Sequence, residues 1–398
     1  MVKQKHEIVI SIDGREFSGW DALAVNRSVD ALCGDFQFGL HEDKDTYGLG
    51  PGMVCKIYVD SELLSTGYVE KRTRSVDGAG ASLVFSGREK TCDLIDCTAV
   101  YKSGVWKGKV NAITILNNLC EQYGIKAESH LSLVSSLQIA NFSLDDGETI
   151  FSALDRLCRL LNVQPLTSAE GNIYLTKLGL EIADDSIEYG LNIIDTSENI
   201  DFSERFSDYE VKGTKTTPGG QQWITNDQRA FEAGTQTFRG VAVDEKMRNI
   251  GRYRKLVDHS SAQSSSAGAK LEAQWQANRR AGSSFSISAT LGSWKQSSGK
   301  LWVPNNRVGY KNSRWGIEEE YIISSVRYTK DETAGTLAGV TLVDPLTYSR
   351  EPVTVKTAKG KTSKDSYIKW ISNDQRKKTV TTYTAPDGST REFVSTEN

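Results

Sequence analysis

Histidine is scarce in this chain of 398 residues. The four present, His6, His41, His130 and His259, are scattered, with no HExxH or H-x-E spacing that would aim two ligands at one metal. No GxxxxGK run is available to cradle a phosphate, no GxSxG elbow to present a nucleophile, and Gly50-Pro51-Gly52 reads as a turn. No apolar run approaches the roughly 20 residues of a membrane-spanning helix. The opening MVKQKHEIVIS lacks the apolar core of a secretory signal. The expectation is a protein made in a cytosol and working in water, without membrane insertion. A net charge of -3 excludes bulk attraction to nucleic acid or anionic lipid as the main activity. Six cysteines, all before residue 160, include no CxxC pair. Cys120 and Cys158 fall on apolar helix faces, where a thiol behaves as a small hydrophobe, so reduced, buried thiols and no metal or cofactor are expected.

Strand signals dominate what is present. IVISIDG (8–14) ends in an Asp-Gly turn, and FQFGL (36–40), VCKIYVD (54–60), STGYVEKRTRS (65–75) and ASLVFSGR (81–88) follow at short intervals. Asp77-Gly78 supports a hairpin between the last two. Such spacing suggests a small barrel or sandwich. After residue 195 the pattern returns to β, through 200–214, 285–291, 318–330 and 337–345, with a polar Gly- and Gln-rich stretch at 217–231 read as an exposed loop or arm. The tail, 351–398, holds nine Lys and Arg against six Asp and Glu. Within it, YIKWI (367–371) alone looks able to pack. The length exceeds one comfortable core, which implies two to four domains.

The stretch Trp106–Gly179 differs, because its period becomes helical. Ala112, Ile115, Leu116, Leu119, Cys120 and Tyr123 share a stripe that Gly124 stops. Ile150, Phe151, Leu154, Cys158 and Leu161 share another, preceded by Asp145 and Glu148 in capping-box spacing. A hairpin-like QPLTSAEGNIYLT (164–176) follows. One more helix is expected at 266–281, with Leu271, Trp275 and Asn278 on one face.

Each constellation that could carry chemistry has a plainer reading. Asp145, Asp146 and Glu148 could form a carboxylate site, but a helix cap explains them. Glu318, Glu319 and Glu320 read as a solvated rim, and His259 between Asp258 and Ser260 reads as a loop. Arg279, Arg280, Lys295, Lys300 and Arg307 are interleaved with Trp294, Trp302 and Trp315, as in a nucleic-acid groove. Without net positive charge, a subunit interface with a polar rim is preferred. DGETIFSALDRLCRLLNV is similar to the opening of a glycan-binding LysM module, over fewer than twenty residues.

Several segments in order resemble one family. They are Ser18-Gly19-Trp20, FQFGL, STGYVEK (65–71), FSGREKTCDLIDCTA (85–99), and the helices WKGK…LCEQYGI and DGETIFSALDRLCRLL. Their order and spacing are similar to the baseplate hub proteins of Mu-like contractile-tail phages and prophages, the tail protein P family. The resemblance implies a mainly β chain with α+β insertions, built on two antiparallel barrels similar to tail-tube subunits. The first barrel would take residues 1–98 with about 195–215, a small α/β domain 99–180, and the second barrel 216–350, leaving a polar segment 351–398. It further implies a homotrimer whose six similar barrels join a sixfold tail tube to a threefold spike, with a lumen through which phage DNA passes. A non-catalytic role in the virion baseplate follows, and a peptidoglycan-binding or wall-active tail component is the alternative. Trp223, Trp275, Trp294, Trp302 and Trp315 are the candidates for large aromatic area at subunit contacts.

Overall fold

The computed structural model describes residues 6–17, 20–41, 46, 48–77, 80–131, 134, 138–217, 234–260, 265–331, 335–349, 378–384 and 390–396. The chain divides into two compact units: Met1–Ile200 with Phe285–Tyr348, and Asp201–Ser284 with Ser349–Asn398. Residues 216–350, expected as one β module, are therefore shared between the two.

In the first unit the leading strands are β1 (Ile8–Ile12), β2 (Arg15–Phe17), β3 (Trp20–Ser28), β4 (Asp35–His41), β5 (Val54–Val59), β6 (Glu62–Asp77) and β7 (Gly80–Glu89). A short helix α1 (Cys92–Asp96) opens the mixed module, which continues with β8 (Val105–Asn111), α2 (Ala112–Cys120), β9 (Ala127–Glu128), β10 (Gln138–Ser143), α3 (Ile150–Leu161), β11 (Gln164–Thr167) and β12 (Ile173–Thr176). After β13 (Ile187–Glu188) and β14 (Ile193–Ile200), the unit resumes with β18 (Phe285–Leu291), β19 (Arg307–Asn312), β20 (Ile317–Asp331) and β21 (Gly335–Val343). The second unit holds β15 (Asp208–Thr217), β16 (Gly234–Val243), α4 (Glu245–Asn249), β17 (Lys255–His259), α5 (Ser266–Ser283) and a hairpin of β22 (Lys378–Thr384) and β23 (Thr390–Thr396).

Thirteen strands of the first unit form one sheet. One array runs β3-β4-β7-β6-β5-β1-β2 and the other β14-β18-β21-β20, with β19 beside β20 and β13 beside β19. They join where Ala22–Ser28 of β3 pair antiparallel with Ser325–Asp331 of β20. Alternation explains the strands. In β5, Cys55, Ile57 and Val59 point inward, and in β21, Ala338, Val340 and Leu342 do so. One apolar cluster runs through both arrays, from Phe36, Phe38 and Phe85 to Trp294, Tyr310 and Tyr328.

The mixed module has its own core. The expected α2 stripe is buried, with Ile115, Leu116, Leu119 and Cys120 wholly covered, and Gly124 adopts the left-handed conformation at its end. The stripe of α3 faces the same cluster. Its cap differs from the expectation. Thr149, not Asp145, is the N-cap, its hydroxyl accepting from the Ser152 amide at 3.2 Å. Glu148 reaches back to the Asp145 amide at 2.7 Å, so the box closes one turn early, as a loop ahead of the helix. Gly147, at φ +78°, makes that turn possible, and no acidic residue lies in the first helical turn.

Ile200 and Phe285 are register partners in β14–β18, so the chain leaves and rejoins the sheet at neighbouring positions. The inserted unit can thus be added without disturbing the sheet's register. Within it β15 lies centrally, antiparallel to β16 and parallel to β17, and α5 packs on one face. The buried stripe of α5 is Ala269, Ala273 and Ala277, whereas Leu271 is 51% exposed and Trp275 half-buried. This corrects the expected face. A helix carrying alanine can approach the sheet backbone closely, and it does so at Gly240. A Cβ there would stand 2.0 Å from the Lys270 nitrogen and 2.1 Å from the Ala269 carbonyl carbon.

Candidate assembly surfaces

The tryptophans separate by burial. Trp294 is fully buried, its indole N–H donating to the carbonyls of Thr329 (3.1 Å) and Leu337 (2.8 Å), with Tyr328 packed edge-on. Trp302 is 2% exposed, and its carbonyl accepts from the Tyr328 hydroxyl. Both are core residues of one chain, which corrects their reading as interface anchors. Sequence spacing cannot separate the two roles, because both demand a large apolar ring with a satisfied N–H. Trp275 donates to the Ser349 carbonyl at 2.6 Å beneath the Arg279 guanidinium. Trp315 is 41% exposed, beside the Arg314–Tyr189 stack. Trp223 lies outside the described residues, as do YIKWI and most of the 217–231 arm.

The basic residues interleaved with these rings have local partners. Lys295 meets Asp60 (3.4 Å) and Glu62 (3.2 Å), Lys300 meets Asp184 (2.9 Å), Arg307 meets Glu320 (3.5 Å), and Arg280 meets Glu204 (2.9 Å). They are spread over the two compact units.

The acidic and thiol groups are likewise accounted for. Glu318 and Glu320 lie on one exposed face of β20, opposite Lys311 and Arg307, and Glu319 accepts from Tyr321 at 2.8 Å. Glu148 is held by Arg156 at 2.6 Å, which also rests on the Phe142 ring. The segment similar to a glycan-binding module forms a turn and a capped helix in this chain. Asp258 accepts from Gln276 and Ser260 donates to Glu272, so neither is aimed at the His259 ring. All six cysteines are free thiols. Burial pushes Cys55 and Cys120 up to about 12, which holds them protonated and unreactive. Among the described residues no cluster of His, Cys, Asp and Glu is arranged to hold a metal.

One constellation escapes sequence reading. The His6 ring meets the Asp60 carboxylate through Nδ1 at 2.8 Å and the Ser293 hydroxyl through Nε2 at 3.2 Å. The residue types are those of a hydrolytic triad, but the hydroxyl donates to the Lys295 carbonyl (2.9 Å) and accepts from the Lys295 amide (3.0 Å). A nucleophile needs its proton free to pass to the histidine. His6 is 6% exposed, and the group works as a clamp between the chain's start, the β5–β6 turn and the loop after β18. Separations of 54 and 287 residues left no local signal.

What the surface offers instead is open β structure. β14 is exposed over nearly all its length, with Ile194 46% and Ile200 58% exposed. From Asp195 to Asn199 it pairs, among the described residues, with β18 alone. In the second unit, α5 covers the face of the sheet bearing Tyr209, Val211 and Ala242. The opposite face carries Glu210 between Val241 and Val257, which are 38% and 44% exposed. Lys255 approaches Glu210 at 2.5 Å, and Lys212 and Arg239 at 3.8 Å. The hydrogen bond from Lys255 holds the Glu210 carboxyl below the usual range. The polar/apolar alternation of DYEVKGT signals this two-faced strand, but not which neighbours share its open side.

Three segments of the chain fit models of known families. Residues 7–89 fit the model of Mu phage baseplate assembly protein GpP-like, N-terminal; residues 91–177 that of baseplate hub protein gp44-like, second domain; and residues 265–351 that of Mu phage baseplate assembly protein GpP, fourth domain. The 43 kDa tail protein of prophage MuSo2 from Shewanella oneidensis superposes with a TM-score of 0.71 at 26% identity, covering 86% of this chain and 99% of that one. A tail protein from Neisseria meningitidis MC58 has the same fold at 17% identity and a TM-score of 0.69, over 88% and 100% of the two chains. Baseplate hub protein gp44 of Escherichia phage Mu is 30% identical over 339 residues, which are 84% of this chain and 87% of that protein. With that identity over most of both lengths, this chain belongs to the baseplate hub family of Mu-type phages.

Proposed function

We propose that this chain is the structural hub of a contractile-tail baseplate, three copies closing into a ring of six similar barrels. One side of the ring would seat a sixfold tail tube, the other a threefold spike, leaving a lumen for DNA. The observation that carries the reading is the doubled array: a single chain contributes two antiparallel strand sets joined edge to edge through β3 and β20. Two such sets per chain and three chains give six, which is the arithmetic a symmetry adaptor needs. On this reading the role is non-catalytic: Glu148 closes a turn, Cys55 and Cys120 lie in the core, and His6 is held in a clamp. The protein would assemble in the host cytoplasm and reside in the virion tail.

Mass photometry and sedimentation velocity of the purified chain test this, with an expected particle of three times 43.9 kDa. A strict monomer at micromolar concentration overturns it. A peptidoglycan pull-down with a turbidity assay addresses the wall-active alternative, and neither retention nor clearing is expected.

A further inference from the structure

We infer that Cys33 and Cys92 are a redox-active thiol pair, oxidised by a hydroperoxide to a disulfide that fastens the β3–β4 loop to α1. Such a pair works equally in a monomer or a trimer. Far apart in sequence, the two residues are brought together by the pairing of β4 with β7. Asp35 is the register partner of Arg88, and the Glu89 amide extends that ladder by donating to the Gly34 carbonyl at 2.9 Å. On the other side of Cys33, the Thr91 hydroxyl donates to the Leu32 carbonyl at 3.5 Å. Cys33 is thus bracketed by bonds to residues 89 and 91, and Cys92 comes next as the first residue of α1. The loop is also held close, because a Cβ at Gly34 would stand 2.5 Å from the Asn26 carbonyl oxygen and 2.9 Å from Glu89 Oε2. The Cys33 sulfur lies 3.2 Å from the Gly34 carbonyl and 3.4 Å from that of Glu89, and it shares a hydrogen bond with the Cys92 thiol.

The two thiols are chemically unequal. The bond from Cys33 holds the Cys92 thiol below its usual range, against the opposing effect of its own burial. Cys33 is pushed up, first by that same bond and then by burial and the Glu89 carboxylate. Cys92 therefore supplies the thiolate and Cys33 the resolving thiol. Cys92 is 2% exposed. Half-buried Cys33 lines a groove with Asn26, Ser28 and Ser325 among the described residues, and a small peroxide can reach the sulfurs from that side. In the first step the Cys92 thiolate attacks one oxygen of hydrogen peroxide. An S–O bond forms, the O–O bond breaks, and hydroxide leaves to take up the proton shed by Cys92. The Cys33 sulfur then attacks the sulfur of the Cys92 sulfenic acid. The S–S bond forms, the S–O bond breaks, and the leaving hydroxide carries off the Cys33 proton as a second water. Two electrons pass from the thiols to the peroxide. Outside a reducing cytosol such a disulfide persists.

Cys92 and Cys97 lie on one tryptic peptide, so the full chain carrying Cys97→Ser is the form to treat with hydrogen peroxide. The expected result is the loss of two thiols per chain, one Cys33–Cys92 link in a non-reducing peptide map, and full reversal by dithiothreitol. Because the link closes a loop of about 60 residues, the melting temperature should rise by about 5 °C. With Cys33→Ser added, no link forms, the gain in melting temperature is lost, and Cys92 advances to the sulfinic acid. Should Cys97→Ser fail to fold, as circular dichroism would show, the wild-type chain is mapped with fragmentation that separates positions 92 and 97. Thiols that stay reduced under peroxide overturn the pair, as does sulfinic acid at Cys92 while Cys33 remains unlinked. A link with no rise in melting temperature overturns the fastening of the loop to α1.

Discussion

In the sheet unit aliphatic side chains fill most of the interior, and the largest buried rings, Phe36, Phe38, Phe85, Trp294, Tyr310 and Tyr328, belong to the same cluster across two strand arrays. In the inserted unit the same task falls to small residues and one buried ion pair. Ala269, Ala273 and Ala277 bring α5 onto the backbone at Gly240, around Tyr209 and Val211. At one end Arg205 grips Asp244 through two bonds of 2.6 and 3.1 Å, while Asp244 also caps α4 at the Met247 amide. The first unit has a buried pair of its own, Arg27 with Glu89 at 2.9 Å, but draws mainly on apolar area, which tolerates some repacking. The second depends on close approach and charge geometry, which tolerate little. Among the described residues, the larger unit leaves β14 exposed at its margin, and the smaller one leaves Val241 and Val257 partly exposed on the face opposite α5.

Substitutions should break the two units separately. Trp294→Ala removes a wholly buried ring and the indole donor that two carbonyls share, so a loss of about 4 kcal/mol is expected in denaturant titration. Accelerated amide exchange should then centre on β18, β20 and β21. Arg205→Ala strands the Asp244 carboxylate in a buried setting, at a cost of about 3 kcal/mol. Its signature is faster exchange in residues 201–284, with strands β3 to β7 unchanged. Gly240→Ala forces a methyl against the α5 backbone and should cost about 2 kcal/mol, read as a lower melting temperature of the inserted unit. If that substitution proves neutral, the close approach at Gly240 is not what holds the helix. The smallest effect belongs to the mixed module. Thr149→Ala should cost about 1 kcal/mol through the lost cap of α3, and Asp145→Ala less than about 0.5 kcal/mol. An equal loss at both positions would restore the capping box one turn earlier and contradict the geometry described.

The α2 and α3 stripes were legible because burial imposes the helical period directly on residue type. The strands of the leading array were legible for the same reason at period two. The α5 face was not. Its alanines match the helical period as well as Leu271 and Trp275 do, and only the glycine opposite makes the smaller residues the buried ones. The acidic run at 318–320 was readable from neighbouring residues alone. The clamp of His6, Asp60 and Ser293 was not, since its members meet only after the two arrays have closed on one another.

By itself, then, the sequence determined the period and extent of the main elements and the family to which its segments are similar. These follow from local alternation, caps and turns, which need no distant partner. The tertiary structure decided which tryptophans are core, which helix face is buried, and which strand edge and sheet face remain open. Those depend on pairings across tens to hundreds of residues, where the deciding quantity is the space left between backbones and the charge left without cover.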